Sequence, residues 1–124
     1  MLEEIREMGF EYAELSHGIR ISLLPGIFEA VDAGVIKIST LHNFCPLPMG
    51  INYAAPNIFK FTSDDRRERD NAWRHTLKTI ETAERVGARL VVLHMGAIGD
   101  SPADRLKAQV VRVKLHVPRI DCDQ

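Results

Sequence analysis

Three residues join a chemistry-bearing side chain to a position at the close of a β-like run. They are Glu14 in the run 10–15, His42 after the run 35–41, and His94 after Leu90-Val91-Val92-Leu93. Imidazole nitrogens bind Zn, Mn or Fe well, a carboxylate adds charge, and a ligand set drawn from several strand ends needs no fixed local spacing. His42 and His94 are therefore the candidate metal ligands, with Glu14 beside them. Each also has a plainer reading: a histidine after an apolar strand is commonly a hydrogen-bonded loop residue, and Glu14 can pair with a neighbouring Arg or Lys.

Other chemistry-bearing types carry less. Cys45 stands three residues after His42, but no second pair completes a zinc site, and packing in the loop accounts for it. Gly96 and Gly99 after His94-Met95 form a GxxG without the spacing of a phosphate loop, and a tight turn explains them. His17, in the loop after the first strand, and His75, within a long helix, read as surface or packing residues. The charged stretch 64–70 reads as a solvated helix start.

The elements that must position these residues follow a repeated pattern. Gly9, Gly34 and Gly87 each end a helix-like stretch and precede a short β-branched or aromatic run (10–15, 35–41 and 89–93). A glycine accepts the left-handed backbone that closes a helix. Helices alternating with strands predict βαβ units and a parallel sheet, whose ligands bind beyond the carboxyl ends of the strands. The longest helix spans 64–86, with Ser63 as its cap and an apolar stripe of Trp73, Leu77, Ile80 and Ala83 or Glu84 facing inward, leaving Arg66, Arg67, Glu68 and Arg69 in water. A shorter helix at 22–33 carries Leu24, Ile27, Phe28 and Val31, with Pro25 in its first turn. Residues 45–61, with Pro46, Pro48, Gly50 and Pro56, read as one long loop.

The 124 residues carry 16 basic and 17 acidic side chains and 45% apolar residues, the profile of an ordinary globular chain with at most one domain. A net charge of −1 supplies no general field for nucleic acid or an anionic membrane. No run reaches the ~18 apolar residues of a membrane span, and Met1 opens an acidic helix pattern rather than a secretory leader, so a cytoplasmic location is expected. Cys45 and Cys122 form no CxxC pair and are expected as reduced thiols. From Arg105 onward the composition turns basic, five against two, whereas residues 1–104 hold 11 basic and 15 acidic residues. Residues 110–117 alternate like an amphipathic strand where the preceding pattern demands a helix, so 105–124 reads as a separate basic tail.

Three segments carry a family likeness: Ser39-Thr40-Leu41-His42-Asn43-Phe44-Cys45-Pro46-Leu47-Pro48, Ala55-Pro56-Asn57-Ile58 leading to an Arg-rich helix, and Val91-Val92-Leu93-His94-Met95-Gly96. With Gly9-Phe10-Glu11-Tyr12-Ala13-Glu14-Leu15 as a second strand, residues 1–104 resemble the xylose-isomerase-like TIM-barrel superfamily, the sugar phosphate isomerases/epimerases and their apurinic-endonuclease relatives. The resemblance implies an α/β fold, a partial (β/α)8 barrel holding strands two to four; a whole barrel needs about 250 residues. It implies a fragment of a metal-dependent sugar or sugar-phosphate isomerase/epimerase, inactive in isolation, whose family uses a divalent ion (Mn, Mg, Co or Zn). Glu14, His42, Asn43 and His94 would face a sugar or sugar phosphate, with His42 and His94 as metal ligands in the endonuclease branch. An endonuclease-like zinc phosphodiesterase and a non-catalytic, oligomerising fragment are the alternatives. The acidic body speaks against nucleic acid, and open strand edges predict self-association.

Overall fold

The structure, a computed structural model, describes residues 1–95. Gly96, Gly99, Cys122 and the basic tail 105–124 lie outside the described residues. The order is α1 (Leu2–Glu7), β1 (Tyr12–Leu15), a 3₁₀ turn (Ile21–Leu23), α2 (Leu24–Asp32), β2 (Lys37–His42), α3 (Arg66–Val86) and β3 (Leu90–Val92). The three strands form one parallel sheet in the order β1-β2-β3. Gly9, Gly34 and Gly87 all adopt positive φ (92°, 71° and 70°), and Gly87 is the left-handed cap of α3. The repeated helix–glycine–strand pattern thus builds the expected α/β layers.

One irregularity sets which way the sheet presents its side chains. Ala13 pairs with Ile38, but the next residue, Glu14, pairs with Thr40, so β2 carries one extra residue at Ser39. An extra residue reverses the alternation of everything after it. Ile38 and Leu41 consequently both face the helices (3% and 0% exposed), and Thr40 and His42 share the opposite face with Glu14. Unbulged, β2 would send His42 into the core.

The core lies between one sheet face and the helices. Leu15, Leu24, Ile27, Ile36, Ile38, Leu41, Cys45, Ala83 and Val86 form one buried cluster. Arg85 clamps the end of α2 to α3 through two contacts with Asp32, at 2.9 and 2.6 Å, and this partner holds the Asp32 carboxyl below its ordinary range. The opposite sheet face leaves Tyr12 and Leu90 exposed.

The long helix differs from its expected form in two ways. It begins at Arg66 with Asp65 as its cap, whose carboxylate accepts the Arg67 N–H at 2.8 Å. Ser63 sits outside, donating to Glu68. Trp73, Leu77 and Ile80 are not the inward stripe: they are 41%, 54% and 38% exposed, while Ala72, Thr76, Thr79, Thr82, Ala83 and Val86 are buried. Thr76 and Thr82 donate their hydroxyls to the carbonyls four residues earlier, Ala72 and Lys78, and Thr79 shares its one hydroxyl proton between the His75 carbonyl and Asn43 Oδ1. A threonine satisfied in this way buries without an orphaned polar group, and its small side chain lets the helix lie close to the sheet. Glu68 and Arg69, expected in water, are half-buried against the Lys60 and Ser63 backbone.

No helix or strand occupies the stretch between β2 and α3, as expected of residues 45–61. The loop is nonetheless packed, because Phe44, Phe61 and Ala72 form a second buried cluster with Ile58, Phe59 and Met95 against it. Cys45 belongs to the main core and is fully buried; burial pushes its thiol from 9.0 up to about 12. Above about pH 9 the unfolded chain therefore loses a proton that the fold retains, so stability falls as pH rises, by about 1.4 kcal/mol per pH unit from this group. Urea midpoints at about pH 8 and about pH 10 are expected to diverge less in Cys45→Ala than in the parent chain; equal divergence overturns this assignment.

Candidate metal centre

The three strands deliver three histidines to one place. His42 ends β2, and its register partner on β3 is Val92, two residues before His94. The Asn43 N–H donates to the Val92 carbonyl at 2.9 Å, which carries the pairing one step past β2 and fixes the His42 and His94 backbones side by side. His17 follows β1 by two residues. Its loop is held on the neighbouring loop by the Leu47 N–H donating to the Ile19 carbonyl at 2.7 Å, by a parallel bridge between Arg20 and Leu47, and by Gly18 lying against Ala54.

The ring centroids of His17, His42 and His94 stand 6.0, 5.9 and 6.0 Å apart, nearly an equilateral triangle. One ring nitrogen from each lies within 4.8 Å of the other two. His17 Nδ1, His42 Nδ1 and His94 Nε2 are shielded from water and lack a hydrogen-bond partner among the described residues. Buried polar atoms are nearly always paired, and three converging histidines that each keep an unpaired ring nitrogen are suited to a bound cation. Burial, and then the neighbouring His94 and His42, lower the pKa of His17, which favours its neutral form.

Glu14 completes the arrangement from the adjacent strand. Its Oε1 lies 2.9 Å from His42 Nε2, so Nε2 carries the proton toward the carboxylate and Nδ1 keeps its lone pair. A carboxylate behind a ligating histidine is the usual way a metal site fixes ring orientation and raises ligand basicity. The nitrogen set and its carboxylate therefore fit a divalent ion of intermediate softness.

Of the expected site residues, Glu14, His42 and His94 meet at the carboxyl end of the sheet, and Asn43 does not join them. Asn43 is fully buried on the helix side, with Nδ2 donating to Thr76 Oγ1 at 2.8 Å and Oδ1 accepting from Thr79 Oγ1 at 2.9 Å. As the neighbour of His42 on a strand it must point the opposite way. Cys45 is likewise outside the cluster; its N–H donates to Thr79 Oγ1. His75 stacks on Phe59 at 5.2 Å, a packing role as expected. His17, expected as a surface or packing residue, is instead a full member of the triangle. The signal that would have found it is simple: every strand is followed within two residues, or closed, by a histidine. No helix among the described residues is long and apolar enough to cross a membrane. No protein-family model, curated protein or solved structure matches the chain.

Proposed function

We propose that this chain forms part of a metal-dependent isomerase or epimerase acting on a sugar or sugar phosphate, its three strands being the second to fourth of a (β/α)8 barrel. The observation that supports this reading is the convergence of His42 and His94, backed by Glu14, at the carboxyl ends of adjacent parallel strands, where barrel enzymes hold their chemistry. The uncovered sheet face beside them is the side that a barrel interior would occupy. A divalent ion held here would supply Lewis-acid polarisation of a substrate oxygen. The chain's own residues hold that ion through His42 and His94, and Glu14 orients His42. A cytoplasmic setting and self-association through the open strand edges belong to the same reading.

A zinc phosphodiesterase relative is the second reading, favoured by the all-nitrogen donor set and disfavoured by the 11 basic against 15 acidic residues of 1–104. Metal content by mass spectrometry on the untagged chain, with His42→Ala and His94→Ala alongside, tests what both share. Ligand-observed NMR with a pentose phosphate and with a short abasic DNA then separates them. Stoichiometric metal lost in both variants, with metal-dependent binding of the sugar phosphate alone, is the expected result. Metal-dependent binding of the DNA alone transfers the assignment to the phosphodiesterase, and absence of metal overturns both.

A further inference from the structure

We propose that His17 makes this centre a zinc site: the loop after β1 supplies the third imidazole, and Zn2+ binding staples that loop to the strand ends. The inference rests on the metal-binding part of the function proposed above and adds the ligand, the choice of ion and a consequence for the fold.

The choice of ion follows from the donors. Three imidazoles converge, and the Glu14 carboxylate beside them is directed at Nε2 of His42. Imidazole suits Zn, Cu, Fe and Ni best, and Mn, although it also accepts imidazole, shares with Mg a preference for sites that include carboxylate, carbonyl or water oxygens. Of these, zinc is the ion that most often takes three imidazoles in a four-coordinate site without a redox role. Among the described residues three protein nitrogens would leave one of four tetrahedral positions free, the pattern of a reactive rather than a purely structural zinc.

The consequence for the fold follows from where the ligands lie. His17, His42 and His94 come from the loop after β1, the end of β2 and the segment after β3, which are distant in sequence but joined in space. Donors around a tetrahedral zinc stand about 3.4 Å apart, from bonds of about 2.0–2.1 Å. The nitrogens here lie within 4.8 Å, so small ring rotations close the set. His17 is the ligand carried on a loop outside the sheet. His42 sits in a strand and His94 beside one, whereas His17 is held through the Ile19–Leu47 and Arg20–Leu47 backbone contacts of two loops. Zinc thus cross-links three points of the chain, and binding energy becomes folding energy.

The test uses the full, untagged chain, with Co2+ as a spectroscopic probe and Zn2+ affinity measured by competition with a chromophoric chelator. One equivalent of Co2+ is expected to give the intense visible bands of four-coordinate geometry, displaced by Zn2+ and not by excess Mg2+ or Mn2+. His17→Ala and His17→Gln are each expected to weaken Zn2+ binding by more than about 100-fold, with His75→Ala unchanged. Zinc at about a hundred times its Kd is expected to raise the parent Tm by about 10 °C and to leave both His17 variants unmoved. Far-UV circular dichroism confirms that the variants fold, and His17→Gln keeps the test open if alanine disturbs the loop. Parent-like zinc affinity in a folded His17 variant overturns the inference while leaving His42 and His94 as ligands. Equal competition by Mg2+ or Mn2+ overturns the choice of ion, and a parent chain that binds no metal overturns this inference and the metal-dependent reading together.

Discussion

Asn43→Ala is expected to lower the stability of the fold by about 2–4 kcal/mol, read as a fall in the urea midpoint with an unchanged slope. The amide is fully buried between β2 and α3, and both of its ends are engaged by threonine hydroxyls of the helix. The substitution removes two buried hydrogen bonds and opens a void at a fully buried position. Thr76 and Thr79 keep their bonds to the carbonyls of Ala72 and His75, so the helix itself survives. Asn43→Asp is expected to cost more, because it deletes the donor to Thr76 and places a carboxylate where no cation reaches it among the described residues. Thr79→Val probes the same junction from the other side, since Thr79 Oγ1 also accepts the Cys45 N–H at 2.9 Å. A loss below about 0.5 kcal/mol in Asn43→Ala overturns the structural assignment and returns this residue to the substrate side.

The junction matters for the metal centre because Asn43 is the next residue after His42. The helix grips Asn43 through Thr76 and Thr79, and the strand alternation then fixes His42 toward the opposite face. A buried polar network that is fully paired specifies one geometry. The positioning of His42 is thus shared between the extra residue at Ser39, which sets the face, and the amide of Asn43, which holds the register against α3.

The same elements show what a sequence can and cannot convey. The helix–glycine–strand rhythm was legible because Gly9, Gly34 and Gly87 act locally: each closes a helix by its own backbone conformation. Glu14, His42 and His94 were legible because strand ends in a parallel sheet converge by geometry alone. The buried face of α3 was not, because hydropathy scores Thr76, Thr79 and Thr82 as polar, whereas each satisfies its hydroxyl within its own helix. Trp73, Leu77 and Ile80 share the helical period, so periodicity had no means of choosing between the two stripes. His42 and Asn43 are neighbours and cannot share a face, and which of them takes the site face depends on the bulge at Ser39, which follows from no local pattern in 37–42. His17 is the least legible member, because it stands two residues beyond β1 and is held there by the Leu47–Ile19 clamp between two loops; only the recurrence of a histidine at all three strand ends marks it in the sequence.

Glu14→Ala is expected to weaken Zn2+ binding by about 10–100-fold while leaving the metal-free fold as stable as the parent. The side chain is half exposed, so little packing is lost with it. What is lost is the acceptor 2.9 Å from His42 Nε2, and with it the preference for the tautomer whose Nδ1 is free to ligate. The ring can then turn or shift its proton, and metal binding must first restore the competent form. Glu14→Gln separates the two contributions of the carboxylate: its amide oxygen still accepts from Nε2 and keeps the ring in place, but the negative charge that raises the basicity of the ligand is gone. The expected order of zinc affinity is parent, then Gln, then Ala, measured by chelator competition at fixed pH, with His75→Ala as the unaffected control. Affinities of Ala and the parent that agree within about twofold show that Glu14 neither orients nor polarises His42. In that case the carboxylate is free to face the substrate directly, and its catalytic role becomes the next question to test by turnover rather than by binding.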